Sequence, residues 1–195
     1  MTHIHYSGVP GSGKTSLCLV ESKEVLITDF RVFWLSGKEI DSIRFSQIMN
    51  SVPIHKAANF HLLEFGDHAA KMTFETGIKK IIIMCNQLKS IALIVIDGWD
   101  ENMDKIEKKS RIDSMDELIK TIKKNNIKLI ATSNAYENLN EKGGEYLIRA
   151  KNELEKIEFS NNLIIDELNG NYLITNESEN RRYKITSIGI EYIND

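Results

Sequence analysis

The chain has 195 residues, 42% of them hydrophobic and 27% charged, and it carries a net charge of −3 at pH 7. Such a composition is typical of a globular protein in water, and it excludes collagen-like, mucin-like and wholly disordered chains as well as a general affinity for polyanions. The apolar runs are far shorter than the roughly 18 residues that a membrane-spanning helix needs, so we expect a cytoplasmic protein with no membrane partner.

The first half of the chain alternates between strand and helix patterns. The predicted elements are a strand at 2–7, a glycine-rich loop at 8–13, a helix from 14 to about 26, a strand at 31–35, a helix at 41–50, a strand at 59–65 and a helix at 78–88. In the last of these helices, apolar residues recur at spacings of three and four, which gives one apolar face.

The apolar run at 92–97 ends in an aspartate and is typical of a central parallel strand that helices cover on both faces. A polar, charged loop is predicted at 100–111. Ser114 and Glu117 have the spacing of a capping box, which predicts the next helix, and a further buried strand follows at 128–132. Strands separated by helices indicate β-α-β units and a parallel sheet, so the predicted fold class is α/β.

The last part of the chain has a different pattern. Short strand-like runs, separated by turns rich in Asn, Gly, Ser and Glu, lie at 152–159, 162–168, 172–175 and 182–188. They predict antiparallel strands at one edge of the sheet. We therefore expect one domain over residues 1–195, with a parallel α/β core at 1–140 and an antiparallel β extension at 145–195.

Cysteine and histidine usage predicts neither a disulfide framework nor a structural metal. Cys18 and Cys85 belong to no Cys-x-x-Cys motif, and we expect both to be reduced core residues. The histidines lack the paired spacing of a zinc site; they are His3, His5, His55, His61 and His68.

The strongest chemical signal is the loop from Gly8 to Thr15, which satisfies G-x-x-x-x-G-K-[ST] between a predicted strand and a predicted helix. Its glycines let backbone N–H groups turn inward around a phosphate, and the helix adds the positive end of its dipole. Lys14 is expected to reach the β and γ phosphates and to act in catalysis, and Thr15 to hold Mg²⁺. The predicted nucleotide-binding residues of this loop are Gly8, Pro10, Gly11, Ser12, Gly13, Lys14, Thr15 and Ser16.

Asp97, at the end of an apolar strand, is the second predicted magnesium residue, because a carboxylate there holds the ion through its water shell. Glu39 follows the second predicted strand and is the candidate for orienting the attacking water; a solvent-exposed position near a helix start fits it equally. Asn134 is predicted either to bind the nucleotide, as a sensor of the γ phosphate, or to cap a turn. Asp100 and Glu101 are expected to be loop charges.

The phosphate loop, the strand at 92–97 and the Thr-Ser-Asn of 132–134 occur in an order that resembles the RecA/RadA recombinase family of P-loop ATPases, most closely its short archaeal RadB-type paralogues. Further segments that match in order are 44–48, 143–144 and 180–185. This resemblance implies a RecA-like core, ATP and Mg²⁺ as ligands, and an accessory role in DNA recombination and repair.

Two departures from that family bear on the expected activity. Its members usually have Asp-Thr-Glu at the end of the second strand, whereas this chain has Ser36-Gly37-Lys38-Glu39, which implies weak ATP hydrolysis. The sequence also begins without a helix-hairpin-helix domain or a polymerisation linker, so we expect no strand-exchange filament.

In this family, DNA contacts come from the loops after the magnesium strand and after the sensor strand. The resemblance therefore implies single-stranded DNA as a partner, and a recombinase or other repair protein beside it. The candidate DNA contacts are Lys105, Lys108, Lys109, Arg111, Tyr136 and Lys142. The alternative for the lysine-rich segment is a solvated loop in which Asp104 and Glu107 cancel half of the charge.

Two functions remain open on the sequence alone. The first is a Mg²⁺-dependent ATP-binding protein with weak ATPase activity, accessory to recombination and repair. The second is a non-hydrolysing regulatory module, KaiC-like or a recombinase mediator, that uses ATP as a structural ligand. A small-molecule kinase is least expected, because no arginine-rich lid follows Asp97.

Overall fold

The computed structural model describes residues 3–66, 71–138, 146–167, 170–176 and 178–193. The strands in these ranges are β1 (His3–Gly8), β2 (Arg31–Ser36), β3 (Phe60–Glu64), β4 (Ile91–Asp97), β5 (Lys128–Asn134), β6 (Tyr136–Glu137), β7 (Tyr146–Leu147), β8 (Phe159–Glu167), β9 (Asn171–Thr175), β10 (Asn180–Thr186) and β11 (Gly189–Ile193). The helices are α1 (Lys14–Ile27), α2 (Ser42–Met49), α3 (Ile54–Ala57), α4 (Phe74–Gln87), α5 (Lys105–Ile122) and α6 (Lys151–Lys156).

Nine of the described strands form one sheet in the order β11-β10-β9-β8-β1-β5-β4-β2-β3, and β6 pairs with β7 in a separate two-stranded sheet. Neighbouring strands are parallel from β3 to β8 and antiparallel from β8 to β11. The predicted α/β class, with a parallel core and an antiparallel C-terminal edge, is confirmed. Because parallel strands end at the same edge of a sheet, the residues that follow β1, β4 and β5 lie side by side.

Helices cover both faces of the parallel part of the sheet. Along β4, Leu93 and Val95 pack in the cluster that contains the apolar residues of α1 and α2, while Ile94 and Ile96 pack with those of α4 and α5. All of these strand side chains are fully buried. Successive residues of a strand point to opposite faces, so a strand buried on both sides is apolar at every position, as its sequence predicted.

Helix α5 begins earlier than the sequence pattern predicts. Asp104 Oδ1 accepts hydrogen bonds from the N–H groups of Ile106 and Glu107 at 2.7 and 2.8 Å, and Glu107 Oε2 accepts one from the N–H of Asp104 at 2.9 Å. This capping box starts the helix at Lys105, and Ser114, the predicted cap, lies inside it. The prediction of a loop as far as residue 111 is therefore wrong, because a stronger local cap lies upstream.

The segment after β7 also differs from its prediction. A strand was expected at 152–159, but α6 occupies most of that range. Leu154, in the middle of α6, is fully buried in the core cluster shared with Phe159, whereas its flanking charged residues face outward. A single apolar residue among charged residues is compatible with a helix turn as well as with a strand. The hydrophobic periodicity of this segment therefore does not distinguish the two structures. Strand β11, which pairs with β10, was not predicted.

The remaining predictions concern single residues and membrane spans. Cys18 and Cys85 are buried free thiols, as expected. His68, Lys142 and the Gly143-Gly144 pair lie outside the described residues. Within the ranges that the structure describes, none of the helices is both long and apolar enough to cross a membrane.

Candidate functional site

The phosphate-loop motif lies between β1 and α1, where the sequence predicts it. Gly11 and Gly13 have φ values of 85° and 81°, a left-handed backbone that glycine adopts without strain. Gly13 is the N-cap residue of α1, and no side chain caps the helix. The N–H groups of the first turn are therefore available to an anion, and the helix dipole favours negative charge at the same place.

Lys14 folds back into this loop. Its Nζ donates to the carbonyl oxygens of Gly8 at 2.6 Å and Val9 at 3.0 Å. Burial lowers the pKa of Lys14 to about 8, although the carboxylates of Asp97 and Asp100 act in the opposite direction. A phosphate would give the buried ammonium a stronger partner than two neutral carbonyl groups, because charge-assisted hydrogen bonds are the stronger kind.

Thr15 and Asp97 meet at the end of β4. The Thr15 hydroxyl donates to Asp97 Oδ2 at 2.9 Å, and the Thr132 hydroxyl, from β5, donates to Asp97 Oδ1 at 2.6 Å. Burial raises the pKa of Asp97, and these hydroxyl hydrogen bonds oppose the rise. Hydroxyl and carboxylate oxygens are hard ligands, which Mg²⁺ binds while it keeps several water ligands. This pair therefore fits the predicted magnesium site.

A cavity of about 510 Å³ joins these groups, a volume within the range of about 300–1,000 Å³ typical of small-molecule sites. Its lining unites the predicted residues Pro10, Gly11, Gly13, Lys14, Thr15, Ser16, Glu39, Asp97 and Asn134 with Lys38, Arg44 and Thr132. Ser12 is not part of the lining: it is fully buried, and its hydroxyl has no hydrogen-bond partner in the described part of the chain.

The two predicted residues with open roles both reach this cavity. Glu39 is exposed at its rim, and Asn134 is partly buried at the end of β5. The Asn134 N–H donates to both carboxylate oxygens of Asp100, at 3.2 and 3.3 Å. Neither position assigns a chemical role, so a water-orienting Glu39 and a phosphate-sensing Asn134 stay predictions.

Asp100 is not the loop charge that the sequence suggested. Its side chain is buried, and it forms an ion pair with Arg149 at 3.2 Å in addition to its hydrogen bonds with Asn134. Burial raises the pKa of Asp100, and the Asn134 N–H and the Arg149 charge oppose that effect. Asp100 therefore ties the loop after β4 to the end of β5 and to the segment before α6.

The C-terminal strands cover the phosphate loop, and sequence patterns did not reveal this contact. The buried Tyr183 hydroxyl of β10 donates to the carbonyl oxygen of Ser12 at 2.5 Å, and the Tyr172 hydroxyl of β9 lies 3.4 Å from the carbonyl oxygen of Gly11. The two tyrosine rings stack with centroids 5.4 Å apart. Only the strand order places them there, since β8 pairs with β1 and β9 and β10 continue the sheet beyond it.

Arg44 of α2 makes a second link between the extension and the loop. Its Nε donates to Ser16 Oγ at 2.9 Å, its Nη2 donates to the carbonyl oxygen of Gly189 at 3.0 Å, and its Nη1 donates to that of Thr186. The planar guanidinium thus connects the start of α1 with the turn between β10 and β11. The segment 44–48 matched the family in order, but nothing in its spacing indicated these partners.

A buried polar network lies on the other side of β1. His5 Nδ1 is 2.7 Å from Asn161 Oδ1, and His5 Nε2 accepts from Trp99 Nε1 at 3.2 Å and lies 2.9 Å from Ser133 Oγ. Because Asn161 Oδ1 is an acceptor, the proton of the neutral ring is on Nδ1. Burial lowers the pKa of His5 to about 4, so the ring is neutral near pH 7.

The predicted DNA contacts do not form one exposed loop. Lys105, Lys108 and Lys109 lie on α5, and Lys108 pairs with Glu153 at 2.5 Å. Arg111 is buried: it donates to the carbonyl oxygens of Trp99 and Glu101, both at 2.8 Å. Arg111 is therefore a structural residue that holds the loop after β4, and its prediction as a DNA contact is wrong. Burial of a long cation cannot be inferred from local charge spacing.

Tyr136, the predicted stacking residue, is 45% exposed on β6. The Arg149 guanidinium lies 5.9 Å from the centre of its ring. Tyr136 thus has a free face toward solvent and a cationic neighbour, which is compatible with base stacking but does not test it.

Comparison with known proteins defines the class to which this fold and site belong. The sequence profile of the ATPase family associated with various cellular activities (AAA) matches residues 4–155, which is more than half of the chain, and the protein belongs to that family. A sequence comparison with curated proteins gave no match.

Among solved structures, the fold is similar to that of the crystal structure of the RadB recombinase, with a TM-score of 0.70 and 16% sequence identity over 99% of this chain and 91% of that chain. The predicted RecA-like recombinase fold is thereby confirmed. In all, 379 solved chains match, and a fold shared so widely does not select one activity.

Proposed function

We propose that the protein binds ATP together with Mg²⁺ at residues 8–16 and hydrolyses it slowly, as a cytoplasmic accessory to DNA recombination or repair. The observation that supports this most is the convergence of Lys14, Thr15 and Asp97 on one cavity at the edge of the parallel sheet. The whole chain acts as one ATPase unit in this proposal, in which the parallel core holds the nucleotide and the antiparallel extension covers the phosphate loop.

Each group of the site has its own role. The N–H groups of the loop and of the first turn of α1 bind phosphate oxygens, and Lys14 exchanges its carbonyl partners for the β and γ phosphates. Thr15 and Asp97 would hold Mg²⁺, the first through its hydroxyl and the second through its carboxylate. When bound, the ion neutralises the charge that develops on the phosphate oxygens.

Slow turnover follows from the turn after β2. The residues there are Ser36-Gly37-Lys38, followed by Glu39, which is exposed at the cavity rim. Hydrolysis needs a group that holds the attacking water in line with the γ phosphate, and correct positioning is a large part of the rate enhancement. An exposed carboxylate on a flexible side chain orients a water poorly. Glu39 is thus the proposed but inefficient water-orienting residue.

The role in recombination or repair rests on the similarity to the RadB recombinase structure. In this proposal the DNA contacts are the exposed lysines of α5, Lys105 and Lys109, together with Tyr136. Lys108 contributes less because it is already paired with Glu153. A recombinase or another repair protein is the proposed protein partner.

A second candidate function is a nucleotide-dependent regulatory module that binds ATP without turnover. It is favoured by Lys38, which pairs with Glu101 at the place where the family resemblance expects a catalytic carboxylate. In that case ATP would stabilise the folded state by mass action and order the neighbouring loops, without being consumed.

The two functions are distinguished by measuring ATP binding and phosphate release side by side. For a weak ATPase, we expect Mg²⁺-ATP to bind and phosphate release to be slow but measurable. Glu39→Gln should abolish release and spare binding. Lys14→Ala should lower ATP affinity by about 10- to 100-fold, since a charge-assisted hydrogen bond contributes about 1.5–3 kcal/mol.

Lys120→Ala is the matched control, because Lys120 forms an exposed ion pair with Asp116 on α5. If the wild type binds ATP but releases no more phosphate than Lys14→Ala does, the protein is the regulatory module. If the wild type does not bind ATP at all, both functions are overturned.

Single-stranded DNA added to the same assays tests the proposed partner. An affinity for DNA that falls steeply with salt and is lost in Lys105→Glu/Lys109→Glu supports it. No affinity at low salt with ATP present rejects it.

A further inference from the structure

Lys38 is held at the nucleotide cavity by a tight turn. The Ser36 hydroxyl donates to the carbonyl oxygen of Lys38 at 2.5 Å, and the Gly37 N–H donates to the carbonyl oxygen of Asp97 at 3.0 Å. A Cβ on Gly37 would lie 2.7 Å from Phe65 Cζ and 2.9 Å from Glu101 Cβ, so only glycine fits between these neighbours. The end of β2 is thereby joined to the end of β4, with the lysine directly beyond the junction.

The ammonium of Lys38 forms an ion pair with Glu101, with Nζ and Oε2 2.8 Å apart. The lysine side chain is 54% exposed and the glutamate side chain 22%. Glu101 belongs to a rigid turn: its N–H donates to the carbonyl oxygen of Gly98 at 3.0 Å, and its own carbonyl oxygen accepts from Arg111 at 2.8 Å. The glutamate is therefore the fixed partner, and the long, exposed lysine is the partner that can move.

Lys38 also acts on the phosphate site electrostatically. It lines the same cavity as Lys14 and Asp97. Burial lowers the pKa of Lys14 and the charge of Lys38 adds to that effect, whereas burial raises the pKa of Asp97 and the charge of Lys38 opposes the rise. Lys38 therefore borders the same cavity in which Lys14 would bind the terminal phosphate.

The energetics favour an exchange of partners. A half-exposed ion pair contributes only about 0–1 kcal/mol, because water screens it and side-chain entropy opposes it. The terminal phosphate of a nucleoside triphosphate carries more negative charge and offers several acceptor oxygens, and a lysine is a compact charge on a flexible stem that can follow it.

We infer that Lys38 is a second nucleotide-contacting lysine, which exchanges Glu101 for the terminal phosphate of a nucleoside triphosphate and so makes the site prefer triphosphate over diphosphate. This inference rests on the proposed function. In the absence of nucleotide, Glu101 holds the lysine at the rim. In its presence, the lysine contacts the terminal phosphate, and a diphosphate leaves it paired with Glu101.

The test compares the affinities of Lys38→Met for a non-hydrolysable ATP analogue and for ADP with those of the wild type, by titration calorimetry. Loss of one charge-assisted contact predicts an affinity for the triphosphate lower by about tenfold and an affinity for ADP within about twofold of the wild type. Glu101→Gln should strengthen triphosphate binding by about two- to fivefold, because the lysine is released from its competitor. Lys120→Met, from an exposed ion pair on α5, is the control and should change neither affinity.

Four results would reject the inference, and the last of them would reject the proposed function as well. Equal losses of triphosphate and ADP affinity in Lys38→Met, or no loss of either, overturn the inference and leave the proposed function intact, because the wild type still binds. Weaker triphosphate binding in Glu101→Gln also overturns it. Absence of any nucleotide binding in the wild type overturns the proposed function and the inference together.

Discussion

The hydroxyl of Thr15 donates a 2.9 Å hydrogen bond to Oδ2 of Asp97, although 82 residues separate them in the chain. Thr15 lies in the first turn of α1 and Asp97 ends β4, so their contact joins the phosphate loop to the predicted magnesium carboxylate. The Thr132 hydroxyl satisfies the other carboxylate oxygen. The two hydroxyls thus keep a buried carboxylate hydrogen-bonded and in place.

Asp97→Asn tests whether this carboxylate binds a metal ion or stabilises the fold. In the wild type we expect Mg²⁺ to strengthen ATP binding at least about tenfold, which is about 1.4 kcal/mol. In the variant, Mg²⁺ should have no effect, because an amide attracts the ion far less than a carboxylate. Calorimetric titrations with ATP, carried out once in Mg²⁺ and once in a chelator, measure the Mg²⁺ effect in both proteins.

The ligand-free variant should melt no lower than the wild type, since burial disfavours the charge of Asp97 and the amide removes it. Asp116→Asn, at an exposed site on α5, is the control and should keep the Mg²⁺ effect. Strong Mg²⁺ dependence in Asp97→Asn would contradict the assignment.

Two glycines of the phosphate loop should respond to alanine for different reasons. At Gly8 a Cβ would lie 2.9 Å from Ile164 Cβ and 3.2 Å from its carbonyl oxygen, so Gly8→Ala overpacks the junction of β1 and β8 and should cost about 1–3 kcal/mol. At Gly11 there is space, but φ is +85°, so Gly11→Ala should cost about 1–2 kcal/mol of backbone strain.

Urea unfolding measures the free energy of unfolding of Gly8→Ala and of Gly11→Ala. If Gly8→Ala proves as stable as the wild type, the close approach of β1 and β8 is not as described.

Tyr183→Phe tests the contact between the antiparallel extension and the phosphate loop. The variant removes the hydroxyl that donates to the Ser12 carbonyl oxygen and keeps the stacked ring. Loss of a buried hydrogen bond should lower the free energy of unfolding by about 1 kcal/mol. ATP affinity should fall by several-fold, because the loop that bears Ser12 loses a fixed support.

Urea unfolding and an ATP titration check the two effects. Tyr192→Phe is the control: it lies on the neighbouring strand β11, is 48% exposed, and should leave ATP affinity unchanged. An unaltered ATP affinity in Tyr183→Phe would mean that the extension does not support the loop.

The buried His5 predicts a loss of stability in mild acid. Burial holds its pKa at about 4 in the folded protein, against an ordinary value of 6.5. Between these pH values the unfolded chain binds a proton that the folded protein does not, so stability is complete above the ordinary pKa and falls as the pH decreases. From about pH 7.5 to about pH 5 the loss should be about 2 kcal/mol, since each pKa unit corresponds to about 1.4 kcal/mol.

Urea unfolding at both pH values measures this loss. His3 and His61, whose pKa values are also lowered by burial, remain in His5→Gln, so the difference from the wild type isolates His5. We expect the variant to be less stable near neutral pH and less sensitive to acid. Equal pH dependence in the two proteins would show that His5 is not buried in its neutral form.

Local spacing was sufficient for the phosphate loop and for the strand that ends in Asp97. A nest of glycines before a helix and a continuous apolar run are encoded within a few residues, so the motif at 8–15, the parallel core and the burial of Cys18 and Cys85 could be predicted. Where two local signals competed, as at the start of α5, the pattern could not tell which cap the helix uses.

The sequence by itself determined which chemical groups are available: a phosphate loop, a carboxylate at a strand end and an α/β core around them. Only the tertiary structure decided their partners, namely Thr132 on Asp97, Glu101 on Lys38 and Tyr183 over the loop. The physical reason is that a buried polar group is satisfied by whatever the neighbouring strand or turn brings to it. That neighbour is set by the strand order of the whole sheet, which no local window of sequence contains.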